Sequence, residues 1–505
     1  MEIFYLFLNK KKRKKSKLYK FTPFSLPITK KTHPFCRIME SCSKSRNFHV
    51  IIVIVGLCLI HVGECTKSLV VNRAPPQYAT GCRKHRAVLT DFGAVGDGKT
   101  LNTKAFEKAI HQLSQIVSDG GAMLVVPPGK WLTGSFNLIS HFTLFLEKDA
   151  VILGSKDESD WPLIPLLPSY GKGRDAPNGR RKSLIFGTNL KDVVISGNNG
   201  TINGQGAEWW ERYRAGKLTV TRPYLIEIMY SDMIQISNIT LLNSPNWVVH
   251  PIYSSNIIIK GITILAPTTS ANTDGIDPDS CTNTRIEDVY IVSGDDCIAL
   301  KSGWDEYGIK FGMPTKHVVI KRLTCISPDS PAIAIGSEMS GGVEDVRAED
   351  IVAINTQAGI RIKSSPGRGG YVRDVFARRM NFKSSMEYVF WMTGFYGQHP
   401  DHKFDPKAFP VVQNINFKDI VAENATMAAK LEGIPDHPYK GICISNVTIS
   451  FSKNHKKLLW NCTNVEGITS DAKPKACGLL PEKRGTVCPF PVDKLPIEDV
   501  PLRTC

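Results

Sequence analysis

Short runs of alternating Ile and Val, each followed by a turn residue, recur from about residue 190 to about residue 450 of this 505-residue chain. No other feature limits its fold so tightly. One copy reads Asp192-Val193-Val194-Ile195-Ser196-Gly197, another Met233-Ile234-Gln235-Ile236-Ser237-Asn238, a third Asn256-Ile257-Ile258-Ile259-Lys260-Gly261. Thr284-Arg285-Ile286-Glu287-Asp288-Val289 and His317-Val318-Val319-Ile320-Lys321-Arg322 follow, with later starts near Gly342, Tyr371, Val411 and Gly441. From Met233 the starts lie 23, 28, 33, 25, 29, 40 and 30 residues apart. Apolar residues alternate with a period near 2 rather than 3.6, so the copies are strands rather than helices. Strands at this spacing predict an all-β, right-handed parallel β-helix, a solenoid in which each coil buries its inner face only by stacking on the next. A β-sandwich is the rival architecture.

The stretch Thr103 to Val117 departs from this pattern. Ala105, Phe106, Ala109, Ile110, Leu113 and Ile116 have helical spacing and predict an N-terminal helical cap over the open end of the core. After Thr448 the repeat fades into a cysteine-rich C-terminal tail. The expected organisation is an extension and signal peptide over residues 1–65, a β-helix domain over 66–450 and a Cys-rich cap over 451–505.

The net charge of +16 is concentrated at the N-terminus. Residues 1–65 hold 13 Lys/Arg against three acids, which is +10, leaving +6 for residues 66–505. The basic run Lys10 to Lys15 would read as a nucleic-acid or nuclear signal if it stood alone. It is followed by Lys44 and Arg46, the apolar run Val50 to Ile60, and small residues Gly63 and Cys65, which is the layout of a secretory signal beginning at Met39. The run is shorter than the roughly 20 residues that span a bilayer. These features predict secretion, with no nucleic-acid partner and no stable membrane anchor; a monomeric state is expected. Sequons at Asn199, Asn238, Asn424, Asn446 and Asn461 agree with that route. So do nine cysteines after residue 65, five of them (Cys443, Cys462, Cys477, Cys488 and Cys505) in the tail, where disulfides are expected with their connectivity open. Cys281 and Cys297, which flank the acidic motifs, are one further possible pair.

Chemistry concentrates in two acidic motifs. Asp274 lies in Asn272-Thr273-Asp274-Gly275; Asp295 and Asp296 lie in Gly294-Asp295-Asp296-Cys297. If these motifs occupy neighbouring coils, stacking at about 4.8 Å brings their carboxyls together. Carboxyls so placed resist joint ionisation, and one holds a proton while another acts as base, the requirement for cleaving a glycosidic bond. Asp277 and Asp279, in Ile276-Asp277-Pro278-Asp279, read instead as turn formers. Further on, Gly359-Ile360-Arg361-Ile362-Lys363 puts two cations on one face of a strand with the isoleucines inward, an arrangement suited to a substrate carboxylate. Tyr388, Phe390, Trp391, Phe395 and Tyr396 suit either sugar stacking or core packing.

The Asn-Thr-Asp, Gly-Asp-Asp and Arg-Ile-Lys motifs, in this order, resemble glycoside hydrolase family 28, the polygalacturonases. The resemblance runs from about Val88 to about Ile449. It implies a right-handed parallel β-helix and inverting hydrolysis of galacturonosyl linkages in pectin. Asp295 would be the general acid, Asp274 and Asp296 would position and deprotonate water, and Arg361 and Lys363 would grip a galacturonate carboxylate. Asn272 of the first motif and His250, in a segment shared with the plant branch, complete the expected substrate-binding set. The chain departs from the family where Gly-His-Gly usually stands, carrying Ser330-Pro331-Ala332 instead. That bears on endo-cleavage of unbranched polygalacturonate, and His250 and His317 are the candidate replacements. Hydrolysis by carboxyls and water calls for no cofactor and no metal. The alternatives are a lyase on the same fold and a catalytically weak or inactive pectin-binding wall protein.

Overall fold

The computed structural model describes residues 83–384 and 386–504. The expected N-terminal extension and signal peptide, together residues 1–65, lie outside them. The described residues belong to one compact unit.

Strands stack in three parallel series around one apolar core, as the repeat predicts. The first series includes Lys191–Gly197, Asp232–Ser237 and Ser255–Lys260; the second, Thr201–Asn203, Thr240–Leu242 and Thr263–Leu265. The third runs through Ile185–Thr188, Ile226–Met229 and Val249–Ile252, then through Ile276 to Ile298–Leu300. Parallel strands joined by crossovers wind in the right-handed sense. The register aligns like with like: Ile195, Ile236, Ile259, Ile286 and Ile320 form one inward ladder. None of the five is more than 1% exposed. Each stabilises by about 1.5–3 kcal/mol. The one antiparallel pair among the described strands, Leu163–Ile164 with Arg180–Arg181, belongs to an inserted loop.

The corners explain the turn residues of the repeat. Asn256 and Gly261 both take left-handed backbone, with φ of 55° and 64°, and bracket one strand of the first series. The same bracketing recurs at Asn283 and Asp288, Asp345 and Asp350, Asn414 and Asp419, and Gly441 and Asn446. Only Gly, Asn and Asp adopt this conformation cheaply, which is why they recur there. Met233, His317, Arg322 and Arg379 hold it too, so stacking overrides local preference at those positions.

Helix α1 (Thr103–Ser114) is the N-terminal cap; Phe106 is fully buried and stacks on Phe136 at 4.4 Å. At the other end the coils continue past residue 450. Trp460–Thr463 and Val465–Lys473 stack as further strands, so the expected boundary at 450 is not a break in the fold. Beyond Cys488 the tail turns back and runs along the outside of the first series. Arg285 donates to the carbonyls of Ile497, Glu498 and Val500, Leu495 and Ile497 pack on Ile258 and Val319, and Gln235 exchanges two hydrogen bonds with the Arg503 backbone.

Two disulfides, Cys443–Cys488 and Cys462–Cys477, hold the tail as expected. The Cys281–Cys297 pairing does not form. Cys297 bonds Cys325 on the next coil, and Cys281 is a buried free thiol. Cys505 lies outside the described residues.

Measured from one left-handed corner to the next, four coils are longest: His141 to Asp192, Asp192 to Met233, Asn283 to His317 and Asp374 to Asn414. They carry, in order, the loop around 163–182, helix α2 (Ala207–Arg214), helix α3 (Asp305–Phe311) and the segment 394–409. All four insertions border a single cavity of about 450 Å³ on the outer face of the third series.

Candidate active site

Asp274 and Asp296 enter this cavity from equivalent positions of adjacent coils. Ile276 pairs with Ile298, and Gly275 N donates to Asp296 O at 2.9 Å, so the two motifs stack in register. Asp295, one residue earlier, turns its side chain beside them. One oxygen from each of the three carboxyls lies within 4.8 Å of the others. A water bridging two carboxylate oxygens spans up to about 5.5 Å, so this spacing admits one.

Burial and mutual charge set their ionisation. Asp274 is buried, and desolvation together with the charge of Asp295 pushes its carboxyl up to about 8. Asp296 is raised too, chiefly by burial, against the pull of Lys363, which donates to it a hydrogen bond at the cavity floor. Asp277 beneath them is fully buried and raised well above the usual carboxylate range by desolvation and by Asp274. Titration in such a cluster belongs to the group rather than to one member. Near neutral pH the cluster therefore retains a proton.

Asp295, the half-exposed member, is held from several sides. Ser330 Oγ donates to its Oδ1 at 3.0 Å, Asp296 N donates to the same oxygen at 2.9 Å, and Asn272 Nδ2 reaches Oδ2 at 3.4 Å. Ser293 and Ser327 hydroxyls both donate to its backbone carbonyl at 2.7 Å. Asn272 is itself fixed by buried Arg222 at 2.7 Å. The Ser330-Pro331-Ala332 segment thus sits directly against the acidic cluster.

The cationic pair divides. Ile360 and Ile362 point into the core and Arg361 and Lys363 outward, as strand alternation predicts. Lys363 lines the cavity but is committed to Asp296, whereas the Arg361 guanidinium lies 3.5 Å from the centre of the Trp391 ring. The aromatic group splits as well: Phe390 is core, Phe395 is 57% exposed, and Tyr396 lines the cavity.

His250 is not a substrate contact. It is 0% exposed, with Nδ1 at 3.0 Å from Glu227 and Nε2 at 3.5 Å from Asp279, so other side chains already occupy both ring nitrogens. Its outward strand position is covered by the 163–182 loop. His317 pairs with Asp345 at a corner of the first series and does not line the cavity.

The profile of the glycosyl hydrolases family 28 matches residues 171–477. A probable polygalacturonase of Vitis vinifera is 63% identical over 90% of this chain and 93% of its own length. The chain belongs to glycosyl hydrolase family 28. Among solved structures, a hyperthermoactive exopolygalacturonase from Thermotoga maritima superposes with a TM-score of 0.65 at 26% identity, covering 79% of this chain and 92% of that one. The polygalacturonase of Erwinia carotovora ssp. carotovora has the same fold, with a TM-score of 0.59 at 22% identity over 76% of this chain and 97% of its own.

Several groups that shape this glycosidase's site gave weaker sequence signals. Lys301 approaches Asp274 and Asp277 at 3.5 Å and Glu338 at 3.4 Å. Burial pulls its ammonium down, but these acids outweigh burial and hold it above its usual value. Glu338, fully enclosed, is kept well below the carboxylate range by Arg174, Lys301 and Arg368, which overcome desolvation. Asp277 and Asp279 are not turn formers: both are 0% exposed, Asp277 beside Lys301 and Asp279 accepting from the Tyr170 hydroxyl. The signal for Lys301 was positional, since it stands one residue past the inward Leu300 on the strand that follows Gly-Asp-Asp. Asp274, Asp295 and Asp296 are the donors that a cation would take, but Lys301 and Lys363 already supply positive charge to two of them.

Proposed function

We propose that this family 28 glycosidase is secreted and hydrolyses galacturonosyl linkages of pectin in the cell wall by an inverting acid/base mechanism. The single observation that carries the mechanism is the stacked carboxyl cluster, with three acids within 4.8 Å and at least one buried member unable to ionise freely. Asp295, half-exposed and oriented by Ser330 and Asn272, delivers the cluster's proton to the glycosidic oxygen. Asp296 Oδ1 is buried without a protein hydrogen-bond partner, an acceptor for the attacking water, and Asp274 holds that water from the adjacent coil. Lys363 favours the charged form of Asp296 against its burial, and Arg361 on Trp391 meets a substrate carboxylate. The 63% identical relative supports the polymer class, and three disulfides suit an oxidising route. Among the described residues no helix is long and apolar enough to cross a membrane.

The test uses the whole chain expressed through its own N-terminal segment in a eukaryotic host, incubated with polygalacturonate and rhamnogalacturonan with and without chelator. Saturated products, of inverted anomeric configuration when first formed, are expected from polygalacturonate, and Asp295→Asn should release none. Products with a new carbon–carbon double bond would replace this reading with a lyase; binding without cleavage would replace it with a wall-binding protein.

A further inference from the structure

The strip of strands that carries the site is covered on the N-terminal side of the aspartates. A polysaccharide lying along the stacked coils would have to cross Glu227, His250 and Asp279 on the N-terminal side. All three are 0% exposed. The loop preceding Ile185–Thr188 lies on top of them: Arg180 pairs with Glu227 at 2.6 Å and the Tyr170 hydroxyl donates to Asp279. The loop is also tied to the opposite rim, because Trp304 N donates to Ser169 O at 2.8 Å and the Tyr170 ring meets Trp304 edge-on at 6.3 Å. The groove therefore ends at this loop, one coil beyond Asp274.

Four cations line the cavity, and three already face acids. Arg174 pairs with Glu338 at 2.9 Å, Lys301 with Asp274, Asp277 and Glu338, and Lys363 with Asp296. Lys172, on the loop that closes the groove, is the exception. Its ammonium stands 5.6 Å from the centre of the Trp304 ring, and among the described residues no carboxylate lies within ion-pair distance. A cation held over an aromatic ring at the closed end of a polar cavity, with no internal partner, is matched by a carboxylate that the ligand brings.

The geometry points to a reader of chain ends. Lys172 receives the carboxylate of the terminal uronic acid residue of an acidic polysaccharide, and the 163–182 loop stops the chain from passing through, so that cleavage removes units from an end. This rests on the hydrolytic reading above and adds to it the mode of attack and the group that sets it.

Two measurements test it. On polygalacturonate, one small product is expected from the first time point, with viscosity falling slowly relative to the appearance of reducing ends. Mixed oligomers at early times with a rapid viscosity drop would overturn the dead end while leaving hydrolysis intact. Second, short galacturonate oligomers are titrated calorimetrically into Asp295→Asn protein with and without Lys172→Gln, a readout that does not depend on cleavage. Loss of Lys172 should weaken binding about ten-fold or more. Lys172→Arg should recover most of it, and methyl-esterified oligomers should not feel the change. Equal binding with and without Lys172→Gln would overturn the assignment of Lys172. If no polymer is cleaved but the Lys172 effect on binding holds, it is the hydrolase reading that fails.

Discussion

Lys363 donates a hydrogen bond to Asp296 across 67 residues of sequence, and both side chains are buried at the floor of the cavity. The pair joins the Arg-Ile-Lys strand to the Gly-Asp-Asp turn. It makes Lys363 a partner of the acidic cluster before any substrate arrives. Removing one member leaves a buried charge without compensation, which costs about 3–5 kcal/mol. Lys363→Met should therefore lower the unfolding midpoint in urea and abolish turnover together. Arg361→Met, which breaks no ion pair, should raise KM for acidic polymers without a comparable loss of stability.

Asp274 predicts a pH signature in stability. Burial and Asp295 raise its carboxyl from 3.8 to about 8. An acid that ionises less readily folded than unfolded weakens the fold as pH rises. The loss begins as pH passes the unfolded value of 3.8 and is complete above about 8. Asp274→Asn removes that penalty. Its Tm relative to the parent should climb through this window and then level off, followed by calorimetry at constant ionic strength. A constant offset across the window would contradict the assigned burial.

Ser330 donates to the Asp295 carboxyl at 3.0 Å. A hydroxyl orients that carboxyl without titrating near neutral pH. Ser330→Ala should lower kcat about ten-fold, the value of one hydrogen bond, with KM little changed. Ser330→His would add a further ionisation near neutrality to the kcat profile.

Arg285 is 4% exposed and holds three carbonyls of the returning tail at 2.9, 2.6 and 2.9 Å. Arg285→Met should cost at least about 2 kcal/mol. Limited proteolysis should then clip residues 489–504 first, before any coil opens.

The solenoid was legible because its physics is local. A strand with Ile at inward positions, bracketed by residues that tolerate left-handed backbone, repeats in sequence wherever it repeats in space. The acidic cluster was legible for the same reason, since one turn of register separates Asp274 from Asp296. What escaped was set by distant insertions. His250 reads as an outward polar residue on a strand, and only the 163–182 loop, folded over from an earlier coil, makes it internal. Asp277 and Asp279 read as turn formers because nothing local announces Lys301 or Tyr170 beside them. Cysteine spacing likewise could not choose Cys325 over Cys281 as the partner of Cys297, because that choice belongs to coil stacking.

The returning tail also bears on how the molecule is made. A coil needs only its neighbour, so stacking can advance while the chain is still leaving the ribosome. Gln235 has no such freedom, since its amide awaits the backbone of Arg503, 268 residues later. A product cut short by an early stop would keep its coils and its acids yet remain unlatched along one whole side, with Ile258 and Val319 laid bare to water.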